Sequence, residues 1–107
     1  MFNFLKKIPA LSPQEVALKI GKSGVVFIDV RTEHEYQSGH ARGAKNIPLD
    51  VLDGRKDELQ SFEEVYVICQ SGGRSASAVE YLRPLEINAI NVSGGTTMWK
   101  LVGLAMD

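Results

Sequence analysis

The chain has 107 residues, of which 44% are hydrophobic and 23% charged, a composition ordinary for a soluble globular protein. Twelve Lys and Arg residues against thirteen Asp and Glu residues give a net charge of −1, which argues against a dedicated nucleic-acid-binding protein. The longest apolar runs fall far short of the roughly 20 residues that span a bilayer, so we expect neither nucleic acid nor membrane as a partner.

Helices and strands are predicted to alternate along the chain. Two patterns of Ser or Thr followed three residues later by Glu, at Ser12 and Thr32, are capping boxes that each start a short helix. The predicted elements, in chain order, are a helix from Ser12 that Gly21 stops, a strand over 25–28, a helix from Thr32 to near Gly39, an edge strand over 46–49, a polar helix over 55–61, a strand over 65–68, a helix over 74–82, a strand over 87–92 and a helix over 96–102.

This alternation predicts an α/β domain with a mainly parallel central sheet and helices on both faces. We expect a single domain over residues 1–107, with residues 1–10 as an N-terminal arm. Ligands of such sheets bind beyond the carboxyl ends of the strands. The chemistry is therefore expected just after Ile28, Ile68 and Val92.

Cys69 is the only cysteine, so no internal disulfide can form, which suits a reducing compartment. The first ten residues place a lysine pair between two short apolar clusters, and this is not the order of a secretory signal. We therefore expect the protein in the cytoplasm.

A glycine-bearing loop follows the predicted strand over 65–68. Its residues are Cys69, Gln70, Ser71, Gly72, Gly73, Arg74 and Ser75. A lone cysteine at a strand end is usually a small core hydrophobe. Here the two glycines allow a curled loop whose N–H groups form an anion-binding nest at the start of a helix, and such a site lowers the pKa of a thiol. We predict Cys69 as a nucleophile, residues 70–75 as its substrate-binding loop, and Arg74 as a fixed positive charge for an anionic substrate.

The run from Tyr66 to Ser75 resembles the active-site loop of rhodanese-like sulfurtransferases. Two flanking stretches agree with that family in the same order, one from Ile28 to Pro48 and one from Asn91 to Trp99. The resemblance implies a three-layer rhodanese-like fold, with Cys69 carrying sulfur as a persulfide. It also implies thiosulfate as a donor, a cyanide or thiol acceptor that includes protein thiols, and no metal or organic cofactor.

Asp29 and Arg31 lie at the carboxyl end of the first predicted strand. They are either polar supports that hold the cysteine loop in shape or a structural ion pair, and the resemblance favours the structural role. Gln70 and Ser71 are neutral, so a donor of low charge, such as a protein persulfide, suits the loop unless Arg31 or Arg42 adds charge.

Two other functions remain open. A sulfur carrier that serves a protein partner would use the same chemistry with little free turnover. A Cys-dependent phosphatase or arsenate reductase would also use a cysteine–arginine loop, but phosphatases of this type place five residues between the two. Here four residues separate Cys69 from Arg74, which makes a smaller cradle.

Overall fold

The computed structural model describes residues 8–107. Within them, five strands form one sheet, and every neighbouring pair is parallel. The strands are β1 (Ala10–Leu11), β2 (Val25–Asp29), β3 (Lys45–Asn46), β4 (Glu64–Ile68) and β5 (Ala89–Val92), in the spatial order β1-β5-β4-β2-β3. Asp29 pairs with Ile68, so the central strands β2 and β4 end at the same level.

The helices are α1 (Pro13–Ala17), α2 (Glu33–Gln37), α3 (Leu52–Arg55), α4 (Gly73–Leu82) and α5 (Gly95–Leu101), and short 3-10 turns occupy Leu49–Val51, Lys56–Leu59 and Arg83–Leu85. Both predicted capping boxes are confirmed: Ser12 and Thr32 accept the backbone N–H of Glu15 and Glu35, whose side chains accept in return. None of these helices has both the length and the apolar character that a bilayer crossing requires.

Each face of the sheet is covered by helices, as predicted. On one face Val65 and Val67 of β4 belong to the same buried cluster as apolar residues of α3 and α4. On the other face Tyr66 and Ile68 pack in a cluster with Val16 of α1 and with Trp99 of α5. The alternation along β4 therefore ties both layers to the strand that leads into the cysteine loop.

Several predicted boundaries were wrong, and the largest differences concern three elements. The strand over 46–49 is reduced to Lys45–Asn46, because Pro48 has no N–H to donate and a 3-10 turn begins at Leu49. The helix over 55–61 is instead a short α-helix followed by a 3-10 turn, which together end at Leu59. The first helix stops at Ala17, since the N–H of Lys19 bonds back to Val16 and tightens the last turn.

The sequence did not predict the two-residue strand β1, in which Ala10 pairs with Asn91 of β5. The rest of the predicted N-terminal arm, apart from residues 8–9, lies outside the described residues.

Candidate active site

Cys69 directly follows β4, which lies between β2 and β5 in the sheet. Its side chain is buried, with 1% of the residue exposed. Two polar groups approach the sulfur: the backbone N–H of Gly72 donates to it at 3.1 Å, and the hydroxyl oxygen of Ser75 lies 3.1 Å away, in a contact in which either group can donate. The structure therefore places this thiol among polar groups, and not only among the apolar side chains of the core.

The backbone of Gly72 makes the turn between the cysteine and α4. Its φ of +116° is a left-handed conformation that side chains other than that of glycine rarely adopt. This conformation aims the Gly72 N–H at the sulfur, and α4 begins at the next residue. The partial positive charge of a ten-residue helix thus lies beside Cys69.

The start of α5 binds the carbonyl groups of the same loop. The backbone N–H and the hydroxyl of Thr96 both donate to the Cys69 carbonyl, at 2.8 and 3.0 Å, and the N–H of Thr97 donates to the Gln70 carbonyl at 3.0 Å. A Cβ on Gly95 would lie 2.6 Å from both carbonyl oxygens, so only glycine allows this approach. With its carbonyls held by α5, the loop can direct N–H groups toward the sulfur.

The pKa of Cys69 is lowered from its ordinary value. Burial is the largest single influence and raises the pKa, because it penalises the charged thiolate. Hydrogen bonds act in the opposite direction and together outweigh burial: the Ser75 hydroxyl contributes most, followed by backbone N–H groups of the loop. The loop therefore favours the thiolate, which is the nucleophilic form of cysteine.

Ser75 can change the partner of its single hydroxyl proton. Its oxygen lies 3.1 Å from the Cys69 sulfur and 3.2 Å from the Gly72 carbonyl. A thiol at Cys69 would donate to Ser75 while Ser75 donates to the carbonyl, whereas a thiolate would receive the Ser75 proton. The Gly72 carbonyl keeps other donors, the Ala76 N–H at 3.0 Å and the Asn91 amide at 3.4 Å.

Arg74 does not direct its guanidinium at the sulfur. Its two terminal nitrogens donate to the two carboxylate oxygens of Glu35 on α2, at 2.7 and 2.9 Å. These hydrogen bonds lower the pKa of Glu35 to about 2. The positive charge that the sequence assigns to an anionic substrate is thus already paired with a carboxylate in this structure.

Asp29 and Arg31 form a buried ion pair next to the loop. They are 0% and 3% exposed, and Arg31 donates to both carboxylate oxygens of Asp29. Arg31 also donates to the Gln70 side chain at 3.2 Å and to the Gly39 carbonyl at 2.8 Å. The pair therefore connects the end of β2 to the cysteine loop, and it is at the same time a buried ion pair, the other role that the sequence left open.

The other predicted loop residues lie at the surface: Gln70, Ser71 and Gly73 are exposed. The Gln70 amide also donates to the Thr97 hydroxyl at 2.9 Å. Neither histidine is bonded to Cys69, and His40 stacks on Tyr36 instead. Within residues 8–107, no three His, Cys, Asp or Glu side chains are grouped to bind a metal ion.

Sequence reasoning missed the parts of the site that come from distant elements. Glu35 was not recognised as the partner of Arg74, and Thr96 and Thr97 were recognised only as the start of the last helix. The adjacent glycines Gly94 and Gly95 were a local signal that left two readings open, a close approach of the backbone or only a tight turn.

Comparison with known proteins identifies the family of this chain. Residues 12–101 match the family model of the rhodanese-like domain. The uncharacterised protein YqhL of Bacillus subtilis is 38% identical over 86 residues, which cover 79% of this chain and 68% of YqhL. The putative sulfur carrier protein YrkF of the same organism is 33% identical over 94 residues, 86% of this chain but only 51% of YrkF.

Two further proteins match over nearly their whole length. The chloroplast thiosulfate sulfurtransferase 16 of Arabidopsis thaliana is 30% identical over an alignment that covers 92% of each chain. The crystal structure of SSP1007 from Staphylococcus saprophyticus superposes with a TM-score of 0.79 at 34% identity, covering 92% of this chain and 99% of that one. The chain thus belongs to the rhodanese-like domain family.

Proposed function

We propose that this protein is a sulfurtransferase that accepts a sulfane sulfur on Cys69 as a persulfide and passes it to a thiol or cyanide acceptor. One observation carries the proposal: the only sulfhydryl group of the chain is enclosed by a loop that donates hydrogen bonds to it. Similarity to a thiosulfate sulfurtransferase and to a putative sulfur carrier supports the same chemistry. We further propose that it acts in the cytoplasm.

In the first half-reaction, the Cys69 thiolate attacks the outer sulfur of a donor such as thiosulfate. The sulfur–sulfur bond of the donor breaks, and sulfite leaves with the bonding electron pair. A new sulfur–sulfur bond joins the outer sulfur to Cys69, and this sulfur carries the negative charge. Loop N–H groups and the Ser75 hydroxyl stabilise that anion as they stabilise the thiolate.

In the second half-reaction, an acceptor thiolate or cyanide attacks the outer sulfur. The bond to Cys69 breaks, and Cys69 leaves as the thiolate with the electron pair. The chain has no second cysteine, so the acceptor comes from outside it. Two such steps through a covalent intermediate give ping-pong kinetics, and neither step requires a metal or an organic cofactor.

A sulfur carrier is the second candidate, favoured by the 33% identity with YrkF. It would form the same persulfide but would release sulfur only to a bound protein. A Cys-dependent phosphatase or arsenate reductase has less support, because the loop is one residue short and Arg74 is occupied by Glu35.

Intact-mass spectrometry after thiosulfate treatment tests the persulfide. We expect the wild type to gain one sulfur atom and Cys69→Ser to gain none, since the hydroxyl cannot form the sulfur–sulfur bond. A wild type that gains no sulfur from thiosulfate or from a hydropersulfide would contradict both the enzyme and the carrier.

Turnover separates the two candidates that share the persulfide. A free enzyme produces thiocyanate continuously from thiosulfate and cyanide. A carrier loads once and then stalls with cyanide, but is emptied by a specific protein thiol. Sustained thiocyanate production that Cys69→Ser abolishes would favour the enzyme.

A further inference from the structure

We propose that Glu35 neutralises Arg74 and so makes this site select a hydropersulfide of low charge over the thiosulfate dianion as its sulfur donor. This inference rests on the proposed function, because it concerns which donor loads Cys69. It assigns a role to the Glu35–Arg74 pair, a contact between α2 and α4 that the persulfide chemistry itself does not use.

The three arginines that the sequence offered as sources of positive charge all have carboxylate partners. Arg31 is fixed in the buried pair with Asp29. Arg42, which the sequence offered as a source of charge, pairs with Asp107 near the C-terminal end of the chain. Arg74 is the nearest in sequence to the sulfur, and the negative charge of Cys69 contributes, after the larger effects of Glu35 and burial, to its raised pKa.

Glu35 is held in place independently of Arg74. Its carboxylate also accepts the backbone N–H and the hydroxyl of Thr32, both at 3.1 Å, at the start of α2. A pKa of about 2 keeps the carboxylate charged throughout the neutral range. Because a bidentate pair of this kind is strong and directional, an incoming anion does not readily displace Glu35 from Arg74.

Arg74 also lines a surface cavity to which a second acidic residue contributes. Thr32, Leu49 and Asp50 line this cavity together with Arg74. The charge of the guanidinium is thus offset by the Glu35 carboxylate, and the loop itself offers hydrogen-bond donors to the sulfur. A thiosulfate dianion gains little from such a site, whereas a hydropersulfide, whose S–SH group carries at most one negative charge, is penalised less.

The proposed loading step is balanced. The Cys69 thiolate attacks the outer sulfur of a hydropersulfide R–S–SH, the donor sulfur–sulfur bond breaks, and R–S⁻ leaves with the electron pair. Cys69 then carries S–SH, so one negative charge enters the step and one leaves. In the corresponding step with thiosulfate, two like-charged species meet, and the site must compensate three negative charges.

The test compares Glu35→Gln with Glu58→Gln. Glutamine retains the capping box of α2, so Glu35→Gln removes the charge and keeps the helix start. Glu58 is a matched control, because it also forms ion pairs, with Arg55 and Lys45, and also has a pKa of about 2. The measured quantity is the second-order rate of sulfur loading on Cys69, followed by intact mass, and thermal melting checks that each variant folds.

Three donors are compared at low and high salt: thiosulfate, cysteine hydropersulfide and a short persulfidated peptide. The relative loading rates of the last two donors show whether a small molecule or a protein is the better hydropersulfide donor. We expect Glu35→Gln to accelerate loading by thiosulfate about five- to tenfold at low salt, as an unpaired charge near a dianion would. The gain shrinks at high salt. Both hydropersulfide rates stay within about twofold, and Glu58→Gln changes no rate.

Arg74→Gln should change the rate of loading by thiosulfate in the opposite direction to Glu35→Gln. It leaves the Glu35 charge uncompensated, so loading by thiosulfate should slow while loading by the hydropersulfides does not. An unchanged donor ratio in Glu35→Gln and Arg74→Gln, or an equal change for all donors, would overturn the inference and leave the proposed function standing. Failure of every donor to load the wild type would overturn the proposed function, and the inference with it.

Discussion

The turns before α4 and α5 have similar backbones but opposite uses. Gly72 and Gly94 both have positive φ, +116° and +78°, and neither helix has a side-chain N-cap. In the turn before α4, an N–H group donates to the Cys69 sulfur. The start of α5 instead donates to the carbonyl groups of the cysteine loop. An anion-binding loop needs its carbonyls turned away from the anion, and here a second helix start holds them there.

From this comparison we expect the most sensitive position of the site to lie at the turn that leads into α5. Gly95→Ala should have the largest effect, because the new Cβ would lie 2.6 Å from two carbonyl oxygens of the cysteine loop. Moving that backbone displaces the loop, so we expect both a lower melting temperature and loss of most persulfide formation, measured by intact mass.

Gly103→Ala is the control for Gly95→Ala. Gly103 also has positive φ, +82°, but its Cβ would meet nothing within 4 Å. It should cost only the roughly 1–2 kcal/mol of a left-handed alanine and leave sulfur loading intact. Equal loading in the two variants would show that α5 does not support the loop.

Ser75→Ala should have the next largest effect, and this effect arises within the cysteine loop. The hydroxyl is the strongest of the donors that lower the pKa of Cys69, so its removal raises that pKa. We expect alkylation of Cys69 near neutral pH to slow by about tenfold, consistent with a charged hydrogen bond of about 1.5 kcal/mol. The rate should recover as the pH rises, because the thiolate fraction is then restored.

Ser71→Ala is the matched control for Ser75→Ala. Ser71 acts on Cys69 only through its backbone N–H, which alanine retains. Its pH profile for alkylation should follow that of the wild type. If the pH profile of Ser75→Ala also coincides with that of the wild type, then the Ser75 hydroxyl does not lower the pKa of Cys69.

The smallest predicted effects come from the threonines of α5. Thr96→Val loses a buried hydroxyl bond to the Cys69 carbonyl, and we expect a loss of about 1 kcal/mol in the free energy of unfolding, measured in urea. Thr97→Val loses a hydrogen bond to the exposed Gln70 side chain, and we expect it to lower the free energy of unfolding by only a few tenths of the Thr96→Val loss. In both variants the backbone N–H groups of α5 still donate to the cysteine loop. A large loss of sulfur loading on Cys69 would therefore mean that the threonine side chains, and not the backbone, position the loop carbonyls.

The sequence predicted what depends on neighbouring residues. The capping boxes at Ser12 and Thr32 and the strand before Cys69 are determined within a few positions, and they lie where expected. The position of the cysteine at a strand end and the glycines of its loop were visible for the same reason.

Contacts between distant residues were not predictable in this way. Glu35 and Arg74 are 39 residues apart, and Thr96 is 27 residues from the Cys69 carbonyl that it binds. No local pattern relates such pairs, because the sheet order brings their elements together. The two-residue strand β1 was missed likewise, since it exists only through its pairing with β5.

The pKa of Cys69 tests the central claim most directly, and the single cysteine makes its titration unambiguous. The thiolate absorbance would be followed against pH in the native and the urea-unfolded chain, with Cys69→Ser subtracted to remove the tyrosines. We predict a lower pKa in the native state. The free energy of unfolding then rises with pH between the native and unfolded pKa values, and this gain is lost as the pH falls through the native one. A native pKa equal to or above the unfolded value would contradict the account, because burial would then dominate and Cys69 would be an ordinary core cysteine.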